Sequence, residues 1–103
     1  MTVDYQIVYW RDIPAQVRVR DESGKRVSRP LAHRFQVAID EAAMRAGATG
    51  AEAYLDDWRT TEWQQRPGER DEALAALVSE LETQYDSGAV RALVANGGHA
   101  PGA

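Results

Sequence analysis

The feature that most constrains this chain is a break, Arg11-Asp12-Ile13-Pro14, set between two runs with the period of β-strands. Asp4 to Trp10 is rich in β-branched and aromatic residues. It carries apolar groups on both alternating sets, Tyr5, Ile7 and Tyr9 on one and Val8 and Trp10 on the other. That is the pattern of an inner strand covered, at least in part, on both faces. Proline removes a ladder donor and restricts the residue before it, so the run stops there. Ala15 to Arg20 then alternates cleanly, with Val17 and Val19 inward and Gln16, Arg18 and Arg20 outward. A half-solvated second strand, antiparallel to the first, is expected, followed by a turn at Asp21-Glu22-Ser23-Gly24.

Two helices follow from a different period. Leu31, Phe35, Ala38, Ile39, Ala42 and Ala46 fall within about 100° of arc, the stripe of a core-facing helix. Pro30 suits the first turn of this helix and Gly47 its stop. Its opposite side, with His33, Val37, Asp40 and Met44, is less polar than a plain solvent face. From Glu69 to Tyr85, Ala73, Leu74, Leu77, Val78 and Leu81 share one side, and Gly88 is the expected terminator. Between them, residues 48–57 suggest one or two helical turns with Thr49 as a cap. Trp58 to Arg66 reads as a polar edge strand ended by Pro67-Gly68. Ala89 to Ala95 forms a short last helix capped by Asp86 or Ser87, before a glycine-rich segment expected to fray. The sum is an α+β domain over residues 4–98 with a flexible tail, 99–103. A small, mainly antiparallel three-stranded sheet carries two principal helices on one face, in the order β-β-α-α-β-α-α.

Composition narrows the chemistry. Without cysteine there is no disulfide framework, thiolate nucleophile or cysteine-based metal site. No apolar run approaches the roughly 20 residues of a membrane span, and the amino-terminal residues lack the basic and apolar regions of a secretory signal. A cytoplasmic protein without membrane contact is expected. Net charge is −4, but residues 1–34 hold seven basic against four acidic groups and the remainder five against twelve.

No catalytic set, metal site or cofactor is expected. Asp56-Asp57 would point about 100° apart on a helix, so a solvated helix end is the ordinary reading. His33 lacks a second ligand or a nearby serine, and Gly97-Gly98 follows a helix instead of opening one. The Arg11-Asp12 pair either stiffens its turn or serves a site at the end of the sheet. Six cations between Arg18 and Arg34 form a basic cluster. They either pair with the acidic remainder of the chain or bind a phosphate, a carboxylate or an acidic partner. Nucleic acid is disfavoured, since residues 15–34 contain no aromatic side chain to interleave. Trp58 and Trp63, an odd interval apart, emerge on opposite faces of an extended strand. With Trp10, Val37 and Met44 they supply core or, where uncovered, a docking surface.

The run Tyr9-Trp10-Arg11-Asp12-Ile13-Pro14, followed by Arg29-Pro30-Leu31, Phe35, Ile39-Asp40, Ala42 to Arg45, Tyr54-Leu55 and Trp58, resembles the small bacterial "virulence factor" domain family. The likeness covers roughly Asp4 to Gly98. The domain also resembles a module of the larger conserved virulence factor C proteins, where it lies beside helical repeats. The resemblance implies no catalytic residues. It does imply a genomic setting beside corrinoid- and folate-dependent methyl-transfer enzymes. The expectation is an accessory domain that binds another protein through Trp10, Arg11, Asp12, Arg18, Arg20, Trp58 and Trp63. The rival is a small-anion binder or minor enzyme subunit that uses Arg11, Asp12, Arg18 and Arg20 around a folate-like carboxylate or a phosphate. An unpaired strand edge offers a third mode, self-association.

Overall fold

In the computed structural model, which describes residues 1–48 and 50–100, the two β-patterned runs form an antiparallel pair. Strand β1 (Thr2–Trp10) lies against β2 (Ile13–Arg20), in register from Asp4 opposite Arg20 to Trp10 opposite Ile13. Val8 faces Gln16 but Tyr9 faces Pro14, so Ala15 is an extra residue in β2. A bulge is where a ladder tolerates a residue without an N–H, and it lets Pro14 sit inside a strand.

A strand that the sequence pattern hid, β3 (Arg26–Pro30), pairs with the other side of β2, from Arg20 opposite Arg26 to Gln16 opposite Pro30. Pro30 therefore ends an edge strand and does not open the first helix. That helix, α1 (His33–Arg45), has Ala32 at its N-cap, and the Ala32 N–H donates to Glu82 Oε2 at 2.8 Å. A strand of five residues with two arginines and a terminal proline is tolerated because only an edge leaves those groups in water.

On the far side of β1 the expected edge strand is present but broken in two. Strand β4 (Trp58–Thr60) pairs with Val8 to Trp10, and β5 (Gln64–Pro67) pairs with Thr2 to Tyr5. At the break Thr61 stands in for a ladder residue. Its N–H donates to Ile7 O and its hydroxyl oxygen accepts the Ile7 N–H, both at 3.0 Å, while Gln6 Nε2 donates to Thr61 O at 3.1 Å. The fold is α+β as expected, with five strands among the described residues in place of three. The order is β-β-β-α-α-β-β-α-α, after adding α2 (Ala51–Asp56), α3 (Arg70–Gln84) and α4 (Ser87–Ala95).

Helices α1 and α3 pack over β2, and α4 packs on α1. Val17 and Val19 are fully buried beneath them, with Phe35, Ile39 and Ala42 from α1 and Ala73, Leu74, Leu77, Val78 and Leu81 from α3. Ala46, expected on the stripe, is exposed because α1 ends one residue earlier, and Ala43 is buried instead. Gly47, at φ +73°, stops α1 as expected. Thr49 lies outside the described residues, and the N-cap position of α2 is Gly50. Helix α3 ends before Tyr85, so Gly88 is not its terminator but the second residue of α4. Asp86 caps α4, its Oδ1 accepting the Ala89 N–H at 2.9 Å.

Among the described residues, the second face of the sheet bears no packed helix along its middle. Register partners there are Asp4 with Arg20 and Gln6 with Arg18 on β1 and β2, then Arg26 and Ser28 on β3. Polar side chains, rather than a second layer, cover the inner strand on this face.

Candidate functional site

The residues singled out in the sequence fall into two places. Trp10, Arg11, Asp12 and Trp58 gather at the β1–β2 turn. Arg18, Arg20 and Trp63 lie on the open sheet face. Arg20 sits opposite Asp4, six residues along β1 from Trp10, or roughly 20 Å away.

At the turn, Arg11 adopts φ +52°, a conformation that side chains other than glycine, Asn and Asp seldom hold. Its contacts account for the posture. The Arg11 N–H donates to Asp57 O at 3.0 Å, Nε meets Asp57 Oδ2 at 3.0 Å, and Nη1 donates to Gly97 O at 2.8 Å. Asp57 is thus spent on Arg11. Asp12 is equally engaged: its N–H donates to Gly98 O at 2.8 Å, Oδ2 accepts the Ala100 N–H at 2.6 Å, and Oδ1 lies 3.2 Å from Arg59 Nη2. The Ala100 N–H above all, and then Arg59, hold the Asp12 carboxyl below the usual aspartate range. His99 Nδ1 lies 4.0 Å from the same carboxylate. The glycine-rich segment expected to fray is therefore placed, as far as Ala100, against this turn; residues 101–103 lie outside the described residues.

Trp10 is core. It is fully buried, donates from Nε1 to Tyr54 O at 2.9 Å and stacks on the Tyr54 ring, whose edge meets Trp58. Gly98 closes over it: a Cβ at that position would lie 2.8 Å from Trp10 Cζ3. The Arg11 and Asp12 groups join β1–β2 to the end of α2, to Arg59 of β4 and to the residues after α4. The expected meeting of Arg11 and Asp12 with Arg18 and Arg20 does not occur.

Beside the turn a cleft of about 250 Å³ is lined by Tyr9, Asp12, Arg59, Thr61, Tyr85, Leu93 and Ala100. Burial, then the facing Tyr85, raises the Tyr9 phenol above its ordinary value, and the Arg59 guanidinium stacks 4.4 Å from the Tyr9 ring centre. A larger cleft of about 700 Å³, which sequence reasoning missed, lies between Met1, the β2–β3 turn and the start of α3. Arg70 crosses it to Asp21 and Asp71. The Ser23 hydroxyl, with the Lys25 and Ser23 amides, lowers the Asp21 carboxyl. These charges are mutually satisfied. Among the described residues no three His, Asp or Glu side chains gather as a metal site.

The open face differs because its charges are left over. Arg20 gives Nε to Asp4 Oδ2 at 3.0 Å, and Arg18 reaches Gln6 Oε1 at 3.4 Å. Trp63, half-buried at the break between β4 and β5, lies under both Arg20, 4.1 Å from its ring centre, and Arg26, 5.5 Å from it. Trp58 and Trp63 do not share one strand: Trp58, in β4, joins Tyr54, while Trp63, at the break, joins the arginines. It does not join Val37 and Met44, which stay exposed on α1. Among the described residues, Arg18, Lys25, Arg26 and Arg29 make no ion pair. Arg34 donates to the carbonyls of Glu82 and Tyr85. Of the four without an ion pair, Arg18 and Arg26 lie on the open face, whereas Lys25 belongs to the β2–β3 turn and Arg29, in register with Val17, to the helix side; the separation in sequence from Trp63 hid the aromatic partner of the first group.

These features define a class: a small one-sided α+β domain, closed by a polar turn at one end and presenting arginines on an open sheet face. Comparison with family models is more specific, matching the model described as "Virulence factor" over residues 8–94. The chain belongs to the virulence factor domain family. Neither the curated proteins nor the solved structures contain a significant match to it. No helix among the described residues is long and apolar enough to cross a membrane.

Proposed function

We propose that this domain is a non-catalytic accessory module of the cytoplasm that binds another protein through the open face of its sheet. The observation that carries this reading is the pair Arg18 and Arg26, which make no ion pair among the described residues and flank the Arg20–Trp63 stack on this face. An isolated domain gains nothing in stability from like charges held side by side, whereas a partner with an acidic surface gains both attraction and orientation from them. Arginine and tryptophan are also the residues whose truncation most often weakens an interface. The internal use of Arg11, Asp12 and Asp57 supports a binding rather than a catalytic role.

The family resemblance makes a corrinoid- or folate-dependent methyl-transfer enzyme, and so one-carbon metabolism, the first partner to test. Affinity capture at native abundance is expected to recover one stoichiometric partner from wild type, and Trp63→Ala or Arg26→Glu is expected to lose it. Recovery of no partner, or a partner held equally by both variants, refutes the reading.

A further inference from the structure

We infer that the open face recognises an extended acidic polypeptide segment with carboxylates at alternate positions. This rests on the protein-binding reading above and names the chemistry of the partner. Arg18 and Arg20 stand two residues apart on one face of β2, a repeat of roughly 6.6–7 Å. Arg26 faces Arg20 across the ladder, roughly 5 Å away. The three arginines occupy ladder positions on two neighbouring strands of one sheet face, an arrangement that suits several anions along a line better than one compact anion. An extended chain repeats its side chains on one face at the same spacing. Carboxylates at i and i+2 therefore meet Arg18 and Arg20 together, with Arg26 flanking the second.

The stack on Trp63 makes this arrangement selective. Guanidinium groups laid on an indole keep their N–H edges free and aimed in plane, the geometry that carboxylates accept from bidentately. Arg20 spends only Nε on Asp4, and Arg26 makes no ion pair among the described residues. Holding the side chains in place beforehand removes part of the ordering cost of binding. The same stack argues against nucleic acid, because the ring that a base would use is already covered at 4.1 Å. The groups in register with the three arginines on this face are Asp4, which pairs with Arg20, and the neutral Gln6 and Ser28, with Gln65 of β5 beyond Asp4.

Two blocked octapeptides of equal charge and composition test the inference, one alternating glutamate with threonine and one in two-residue blocks, Glu-Glu-Thr-Thr repeated twice, which places no two glutamates two residues apart. Titration is followed by the Nε–H signals of Arg18, Arg20 and Arg26 and the Trp63 indole N–H. The alternating peptide is expected to shift these signals and to bind about tenfold more tightly than the block peptide, the value of one extra charge-assisted hydrogen bond. Its affinity should weaken with added salt and with Arg26→Glu; Arg26 is exposed, so circular dichroism of that variant should match wild type. Arg18→Gln serves as the second variant. Equal binding of the two peptides, tighter binding of octathymidylate, or no shift at the three arginines overturns the inference. If the captured partner still depends on Arg26 in that case, the protein-binding reading stands alone; if it does not, both fall.

Discussion

Replacing Gly98 with alanine tests whether the segment after α4 is a structural part of the core. Gly98 has φ +93°, and the new methyl carbon would lie 2.8 Å from Trp10 Cζ3, 3.3 Å from Trp10 Cε3 and 3.3 Å from Arg11 Cδ. Trp10 cannot easily retreat, since it is fully buried and tied to Tyr54 O. A left-handed backbone costs an L-residue about 1–2 kcal/mol, and forced overpacking adds about 1–3 kcal/mol. Gly24→Ala isolates the first effect, because Gly24 has φ +87° with nothing within 4 Å of the added carbon. Gly98→Ala should therefore destabilise by about 2–5 kcal/mol and Gly24→Ala by only about 1–2 kcal/mol. Urea unfolding followed by tryptophan fluorescence and circular dichroism gives both numbers, with an unchanged denaturant slope confirming that the unfolded state is the same. At about 4–8 °C per kcal/mol, the melting temperature of Gly98→Ala should fall by at least about 8 °C. Equal losses for the two variants would refute the close packing of Gly98 on Trp10.

Thr61→Val removes the acceptor for the Ile7 amide at a half-buried place. It should cost about 1–3 kcal/mol, and hydrogen exchange at Ile7 should accelerate ahead of its neighbours in β1. Asp86→Ala removes the cap of α4 and should cost about 1 kcal/mol in urea unfolding, with the α4 amides exchanging faster. The lowered Asp12 carboxyl binds its proton less readily in the folded than in the unfolded chain. Its contribution to stability is thus complete above the ordinary aspartate value of about 4 and is lost as pH falls through the lower folded value. Asp12→Asn should be less stable than wild type at pH 7, with the gap narrowing below about pH 4; a constant gap across urea midpoints from pH 2 to 7 contradicts the Ala100 and Arg59 contacts.

What could be read from the residues follows the strength of each periodic signal. Strands β1 and β2 and helices α1 and α3 each carry an apolar set at a fixed interval because one face of each meets the core. The signal failed for β3. Its residues Arg26, Ser28, Arg29 and Pro30 are exposed, and pairing to β2 through the backbone leaves no hydrophobic trace. Thr61 interrupts the far edge through a hydroxyl, which no hydrophobic pattern records. The site was legible as parts. The arginines stood out as an excess and the tryptophans as a surplus, but the contact of Trp63 with Arg20 and Arg26 depends on β5 returning beside β1, a long-range pairing. The same holds for Arg11 and Asp12, whose partners at Asp57, Gly97 and Ala100 are set by topology. The segment at Gly97-Gly98 looked loose because glycine usually frees the chain; here φ +68° and +93° let it press against Trp10.

The Arg11 side chain also sets an order on assembly. Its two acceptors, Asp57 and Gly97, lie 46 and 86 residues further along the chain. While the polypeptide is still emerging from the ribosome, the first hairpin can zip, but its apex gains its first clamp only with Asp57 and its second only with Gly97. A copy halted before Gly97 therefore lacks both the second clamp on Arg11 and the Gly98 backbone that presses on the Trp10 indole.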